Sequence, residues 1–146
     1  MMNITAEVKK TISAPAAEVW QALTTPASLK SFFFGADVET DWKVGSAIRM
    51  HGEYQGRKYE DKGEVLTAEV QQQLSFSHWS AMSGQADVPE NYHVITFTLE
   101  PVGDATTVIL SQANLLGGVK PEDIEHRADY EKNWRAVLDG LEKLLR

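Results

Sequence analysis

The feature that most constrains this chain is a change of period about four fifths of the way along it. From Ala36 to Leu115 apolar and polar residues alternate in short runs cut by turn signals. From Pro121 to Leu145 apolar residues recur at helical spacing without a break. Short alternating runs in sequence predict strands joined by hairpins, hence an antiparallel sheet. Such a sheet has one apolar face to cover, and the last segment is the large apolar helix available to cover it. At about 1.5 Å per residue that helix is roughly 37 Å long.

The pattern predicts strands near 36–41, 46–54, 57–69, 73–79, 91–101 and 105–115. The turn signals are Val44-Gly45, Gln55-Gly56, Gln71-Gln72, Val102-Gly103-Asp104 and Leu116-Gly117-Gly118. Residues 3–13 also alternate, with Ile4, Ala6, Val8, Lys10 and Ile12 on one parity. Lys10 interrupts that apolar side, so this strand is expected at an edge. Ser13-Ala14-Pro15 then opens a short helix with Val19, Trp20 and Leu23 on its apolar face. A second short helix runs from Ala27 to about Phe33. Residues 80–90 are small and polar, too long for a tight hairpin, and are read as a mobile gate. In the last helix the expected buried stripe is Ile124, Arg127, Tyr130 or Glu131, Trp134, Val137 or Leu138, Leu141, and Leu144 or Leu145. The whole is read as one domain, residues 1–146.

Composition narrows the functions. The chain has 146 residues, 42% hydrophobic and 24% charged, with no cysteine. Disulfides and thiolate chemistry are excluded, and a reducing, cytoplasmic setting is expected. A net charge of −7 and the absence of a basic patch oppose nucleic-acid binding. No run approaches the roughly 20 apolar residues of a membrane span, and no signal peptide is expected. No Gly-x-Ser-x-Gly turn and no phosphate loop appear, so a named catalytic residue is not expected. No cofactor is expected, and the spacing of His51, His78, His93 and His126 supports no metal site.

Several stretches carry a resemblance: Ile12-Ser13-Ala14-Pro15, Glu18 to Pro26, Gly63-Glu64-Val65, Leu74-Ser75-Phe76, Thr107 to Leu110, and Trp134 with Leu138 and Leu141. With the element order, they resemble the START or birch-pollen-allergen (SRPBCC) superfamily. Within it, the chain is similar to the activators of the heat-shock-protein-ninety ATPase and their bacterial homologues. The resemblance implies an α+β helix-grip fold: a curved antiparallel sheet of about six to seven strands around a long C-terminal helix. It also implies either a carrier of apolar ligands, a chaperone-regulating interaction module linked to stress response, or a cyclase-like or hydrolase-like enzyme. Fold does not choose among them.

Strand parity assigns the inner face. Met50, Tyr59, Asp61, His78, His93, Phe97, Gln112 and Asn114 are expected inward, together with Val65, Leu74, Phe76, Ile95, Leu99, Val108 and Leu110. Ser75, Ser77 and Trp79 are expected outward. If Leu74 opposes Phe97, His78 falls beside His93. If Val65 opposes Leu74, Asp61 falls beside His78. The result is an inward polar row, Asp61–His78–His93, at one end of an otherwise apolar face. Two readings of the row stand: it meets a ligand head group or moves protons, or it sits in water at the sheet rim. Phe32-Phe33-Phe34 cannot bury three rings on one short face, so Phe33 or Phe34 is expected at a cavity entrance, with Trp42 and Trp79 near its mouth. Arg127, Tyr130 and Trp134 are expected to face the cavity. There Arg127 meets a ligand carboxylate or Asp61, or else is a solvated helix end. The first expectation is binding of a small hydrophobic or aromatic molecule, with a chaperone as the rival partner.

Overall fold

The computed structural model describes residues 3–146. Seven antiparallel strands form one sheet in the order β1-β7-β6-β5-β4-β3-β2. The strands are β1 Ile4–Ile12, β2 Asp37–Glu39, β3 Ala47–Tyr54, β4 Arg57–Glu69, β5 Gln73–Ser80, β6 His93–Val102 and β7 Ala105–Asn114. Helices α1 (Ala16–Leu23) and α2 (Pro26–Phe32) follow β1, and α3 (Pro121–Leu145) closes the chain. This is the α+β helix-grip arrangement the alternation and the final helix require. Every consecutive strand pair from β2 to β7 is a neighbour, as hairpin links dictate. β1 and β2 are opposite edges, so α1 and α2 carry the chain across the open side of the sheet.

The hairpin turns follow local chemistry. Gln55 and Gly56 both hold positive φ, 52° and 78°, between β3 and β4. That is the backbone a two-residue hairpin loop needs to match strand twist.

The sheet bends at Gly63. A Cβ built there would lie 1.7 Å from the Ser77 carbonyl oxygen, so only glycine permits this approach of β4 to β5. The Glu64 amide donates to the Ser77 hydroxyl at 2.9 Å instead. A bulge between Val65 and Thr67 adds to the bend.

One expected register is corrected. Val65 opposes Phe76 and Ala68 opposes Leu74, so Asp61 opposes Ser80 rather than His78. The other register is as expected: Leu74 opposes Phe97 and His78 opposes His93. In β1 a second bulge between Ile4 and Ala6 turns Ile4 out of the apolar parity to 44% exposure.

The core lies between the sheet and the C-terminal half of α3. Val137, Leu138 and Leu141 are buried with Leu74, Phe76, Phe97, Val108 and Leu110. Gly140 brings α2 close, since a Cβ there would stand 2.9 Å from Phe32 Cβ. The N-terminal half of α3 differs from the expected stripe. Ile124 is 65% exposed: it follows the sheet-facing Asp123, and one residue turns a helix by about 100°. This half is pinned by polar contacts instead. Asp123, buried, accepts from Asn114 Nδ2 at 2.8 Å and from the Lys120 amide at 2.7 Å. The second bond satisfies one of the orphan amides of the helix start.

β1 is an edge, as Lys10 suggested, and α3 covers it. Arg127 Nε donates to the Thr5 carbonyl at 2.8 Å. Glu131 accepts from the Glu7 amide at 3.2 Å, and Lys10 pairs with Asp139 at 2.7 Å. Side chains thus occupy backbone groups that an open edge would offer to another strand. Among the described residues, no helix is long and apolar enough to cross a membrane.

Candidate functional site

Where α3 stands off the sheet, a cleft of about 300 Å³ opens. Its floor is β3, β4 and β5, which supply Met50, Tyr59, Asp61, His78 and Ser80. Its walls are Phe33, Phe34 and Ala36 after α2, Asn133 and Trp134 of α3, and Met82 beyond β5. Gly52 opposes Tyr59, and a Cβ at Gly52 would meet the tyrosine hydroxyl at 2.9 Å. The missing side chain leaves room for the phenol.

One wall is aromatic. The Phe33 and Phe34 rings meet edge to face, with centroids 5.2 Å apart. Trp134 lies 6.0 Å from Phe33 and 5.8 Å from Phe34. These separations are in the favourable range for aromatic pairs. Phe32 and Phe33 are buried, and Phe34 is the ring left out, at 45% exposure and with φ of 56°. A bulky residue in the left-handed region is uncommon and costs about 1–2 kcal/mol. Trp134 is fixed from behind, since its Nε1 donates to Gln112 Oε1 at 2.9 Å.

The opposite side is polar. His78 Nε2 donates to Asp61 Oδ2 at 2.8 Å, a diagonal contact across β4 and β5 rather than a directly opposed pair. The Asp61 side chain is only 14% exposed. Its other oxygen, Oδ1, is buried and has no hydrogen-bond partner. Burial, and then the charges of Asp61 and Asp37, hold the Tyr59 phenol above its ordinary 10.0. Tyr59 therefore stays a neutral O–H donor, reaching toward the Phe34 carbonyl at 3.5 Å.

The structure brings together Phe33, Phe34, Met50, Tyr59, Asp61, His78 and Trp134. It leaves six expected site residues outside the cleft. Phe97 is sealed in the core at 1% exposure. Gln112 and Asn114 are inward but spent on Trp134 and on Asp123 with the Gly118 carbonyl. His93 sits between His78 and Asn114 in register, behind the cleft. Desolvation, and then the proximity of His78, lower its pKa below 6.5. Arg127 holds the β1 edge and meets neither a ligand site nor Asp61. Tyr130 packs beside His126 on α3, with centroids 6.3 Å apart.

Four cleft residues were not foreseen. Ser80 continues the parity of His78, and Ala36 that of Val38, so both were legible. Asn133 and Met82 carry no such signal.

Trp42 and Trp79 are also not at the mouth. Trp42 packs against the core. Trp79 lies on the outer face, stacked on Tyr92 at 6.4 Å with Lys62 Nζ 5.6 Å from the ring centre. The 80–90 segment reaches both faces of the sheet. Met82 reaches the cleft, but Asp87 pairs with Lys62 on the outer face. Ser75 and Ser77 face outward as expected, yet are buried; Ser77 shares an outer hollow with Asp87–Pro89 and Tyr92. Among the described residues, no group of three or more His, Cys, Asp or Glu is placed to hold a metal ion.

A curved sheet gripping a helix, with an open cleft between them, defines a START-like module suited to ligand or partner binding. The chain belongs to the family described as activator of Hsp90 ATPase homolog 1-like protein, whose model matches residues 13–146. It is similar to the solution structure of ChR145 from Cytophaga hutchinsonii, with 40% identity and a TM-score of 0.78 over 99% of this chain and 95% of that one. Protein MLL2253 from Mesorhizobium loti matches at 25% identity and a TM-score of 0.74, covering 96% and 95%. The Aha1 dimer from Colwellia psychrerythraea shares the fold at 23% identity and a TM-score of 0.69, covering 94% and 92%. No curated protein matches the chain.

Proposed function

We propose that the cleft binds a small hydrophobic or aromatic molecule that carries a hydrogen-bond donor. One observation carries this reading. Asp61 Oδ1 is a buried acceptor without a partner, set in a cleft whose other surfaces are largely rings and thioethers. Leaving such a group unpaired costs about 1–3 kcal/mol or more. An N–H or O–H from a ligand removes that cost, while the ligand body covers Phe33, Phe34 and Trp134.

Thermal unfolding with a panel of phenols, flavonoids, aryl alcohols and aryl amines tests it, with fatty acids as the contrast. A ligand at a hundredfold excess over its Kd adds about 2.7 kcal/mol. For a chain of this size that raises Tm by roughly 5–10 °C. Asp61→Leu should remove the shift for donor-bearing ligands. A flat Tm across the panel sinks the reading.

Family membership favours a second reading, a chaperone-regulating interaction module. It acts through the outer surface, so Asp61→Leu should leave capture of a purified Hsp90-type ATPase unchanged. Catalysis by Asp61, His78 and His93 together has less support, because His93 does not line the cleft.

A further inference from the structure

The charges around the cleft are distributed unevenly. Its lining includes one carboxylate, Asp61, and neither lysine nor arginine. Several cationic side chains close to the cleft residues in sequence are engaged elsewhere. Lys30 pairs with Asp37 at 3.0 Å, Arg49 approaches Glu60 at 3.8 Å, and Lys62 pairs with Asp87 on the outer face. Arg127 is committed to β1. His93, behind His78, is held in its neutral form by desolvation and by its neighbour.

His78 gives Asp61 one N–H and leaves Oδ1 free. A ligand carboxylate here would meet an acidic oxygen and neither lysine nor arginine. A ligand ammonium would meet that oxygen and three ring systems. Protonated amines are attracted to ring faces as well as to carboxylates.

We propose that the cleft selects organic cations: amines whose N–H donates to Asp61 Oδ1 and whose apolar or aromatic body lies against Phe33, Phe34 and Trp134. This rests on the cleft being a ligand site and names the class of ligand it takes. It excludes free fatty acids, which the fold alone would admit.

The test uses matched probes on three bodies, phenyl, indolyl and naphthyl. Each body carries in turn an ethylamine, an ethanol or an acetate group, and Kd is measured by calorimetry at neutral pH. The expected order is amine, then alcohol, then carboxylate. The amine should lead the alcohol by about ten- to a hundredfold, the range a charge-assisted hydrogen bond supplies. Asp61→Asn should collapse amine and alcohol to within a few-fold of each other while alcohol binding persists; circular dichroism checks that the variant folds. If alcohols bind as tightly as amines, or carboxylates bind best, the cation inference is wrong and the cleft remains a ligand site. If no probe on any body binds at millimolar concentration, the cleft reading fails and takes this inference with it.

Discussion

The C-terminal half of α3 buries Val137, Leu138 and Leu141 on the concave face, whereas on the same stripe of the N-terminal half Arg127 is exposed and Tyr130 and Trp134 are only half-buried. The difference lies in the floor. Under the first half stand Leu74, Phe76, Phe97 and Leu110, and contact area decides the spacing. Under the second stand His93, Gln112 and Asn114, and a few hydrogen bonds decide it. Apolar packing draws surfaces together until no space remains. Polar pins hold a helix at a fixed distance and leave room beside it. The cleft is the space that remains where the sheet floor becomes polar.

That contrast can be broken or sharpened by substitution. Gly63→Ala should have the largest effect, at least about 4 kcal/mol, because the new methyl meets backbone rather than a movable side chain. Loss of a cooperative urea transition would meet the expectation; a near-normal midpoint would show that the bend is softer than it looks. Leu141→Ala strikes the closed half and should cost about 3–4 kcal/mol, the cavity cost of a fully buried leucine. Asp123→Ala strikes the pins. It removes a helix cap and one of the two acceptors of the Asn114 amide, so about 2 kcal/mol is expected by denaturant unfolding.

Acid should act on the same end more gently. His93 has a folded pKa below 6.5, so the unfolded chain binds its proton first. From this residue stability should be flat above that value and fall as pH drops below it, until the folded pKa is passed. His93→Asn should flatten that part of the pH profile. The groups facing His93 are His78 on β5, Asn114 on β7, and Lys120, Glu122 and Asp123 at the start of α3. The smallest stability change belongs to Phe34→Gly. The ring is half exposed and glycine accepts its left-handed backbone, so unfolding should stay within about 0.5 kcal/mol. Affinity for a cleft ligand should nevertheless drop, which separates the open half from the closed one.

Much of this architecture was readable in the residues. The period change located β4 and α3 to the residue, because alternation and helical spacing are both set by which face must be buried. Inner parity placed Tyr59, Asp61 and His78 on one face for the same reason. What parity cannot carry is a register. The β4–β5 turn closes with Glu69 opposite Gln73, and the bulge between Val65 and Thr67 moves the pairing by one residue, so Asp61 opposes Ser80 rather than His78 and only side-chain reach restores the contact. Nor does a stripe reveal which part of it lands on a polar floor. Arg127 and Tyr130 shared the spacing of Trp134, yet Arg127 was taken by the β1 edge, a demand that arises only once the sheet is assembled.

Both ends of α3 are fastened, by Asp123 to Asn114 at one end and by the Gly140–Phe32 approach at the other. A beam held at both ends has no hinge about which to open. Access to the cleft then falls to its rim, to the Phe34 ring and to Met82, both exposed. Exposed side chains change rotamer in picoseconds to nanoseconds. Binding should therefore show a single phase whose rate rises linearly with ligand concentration, with no plateau set by a slow opening step.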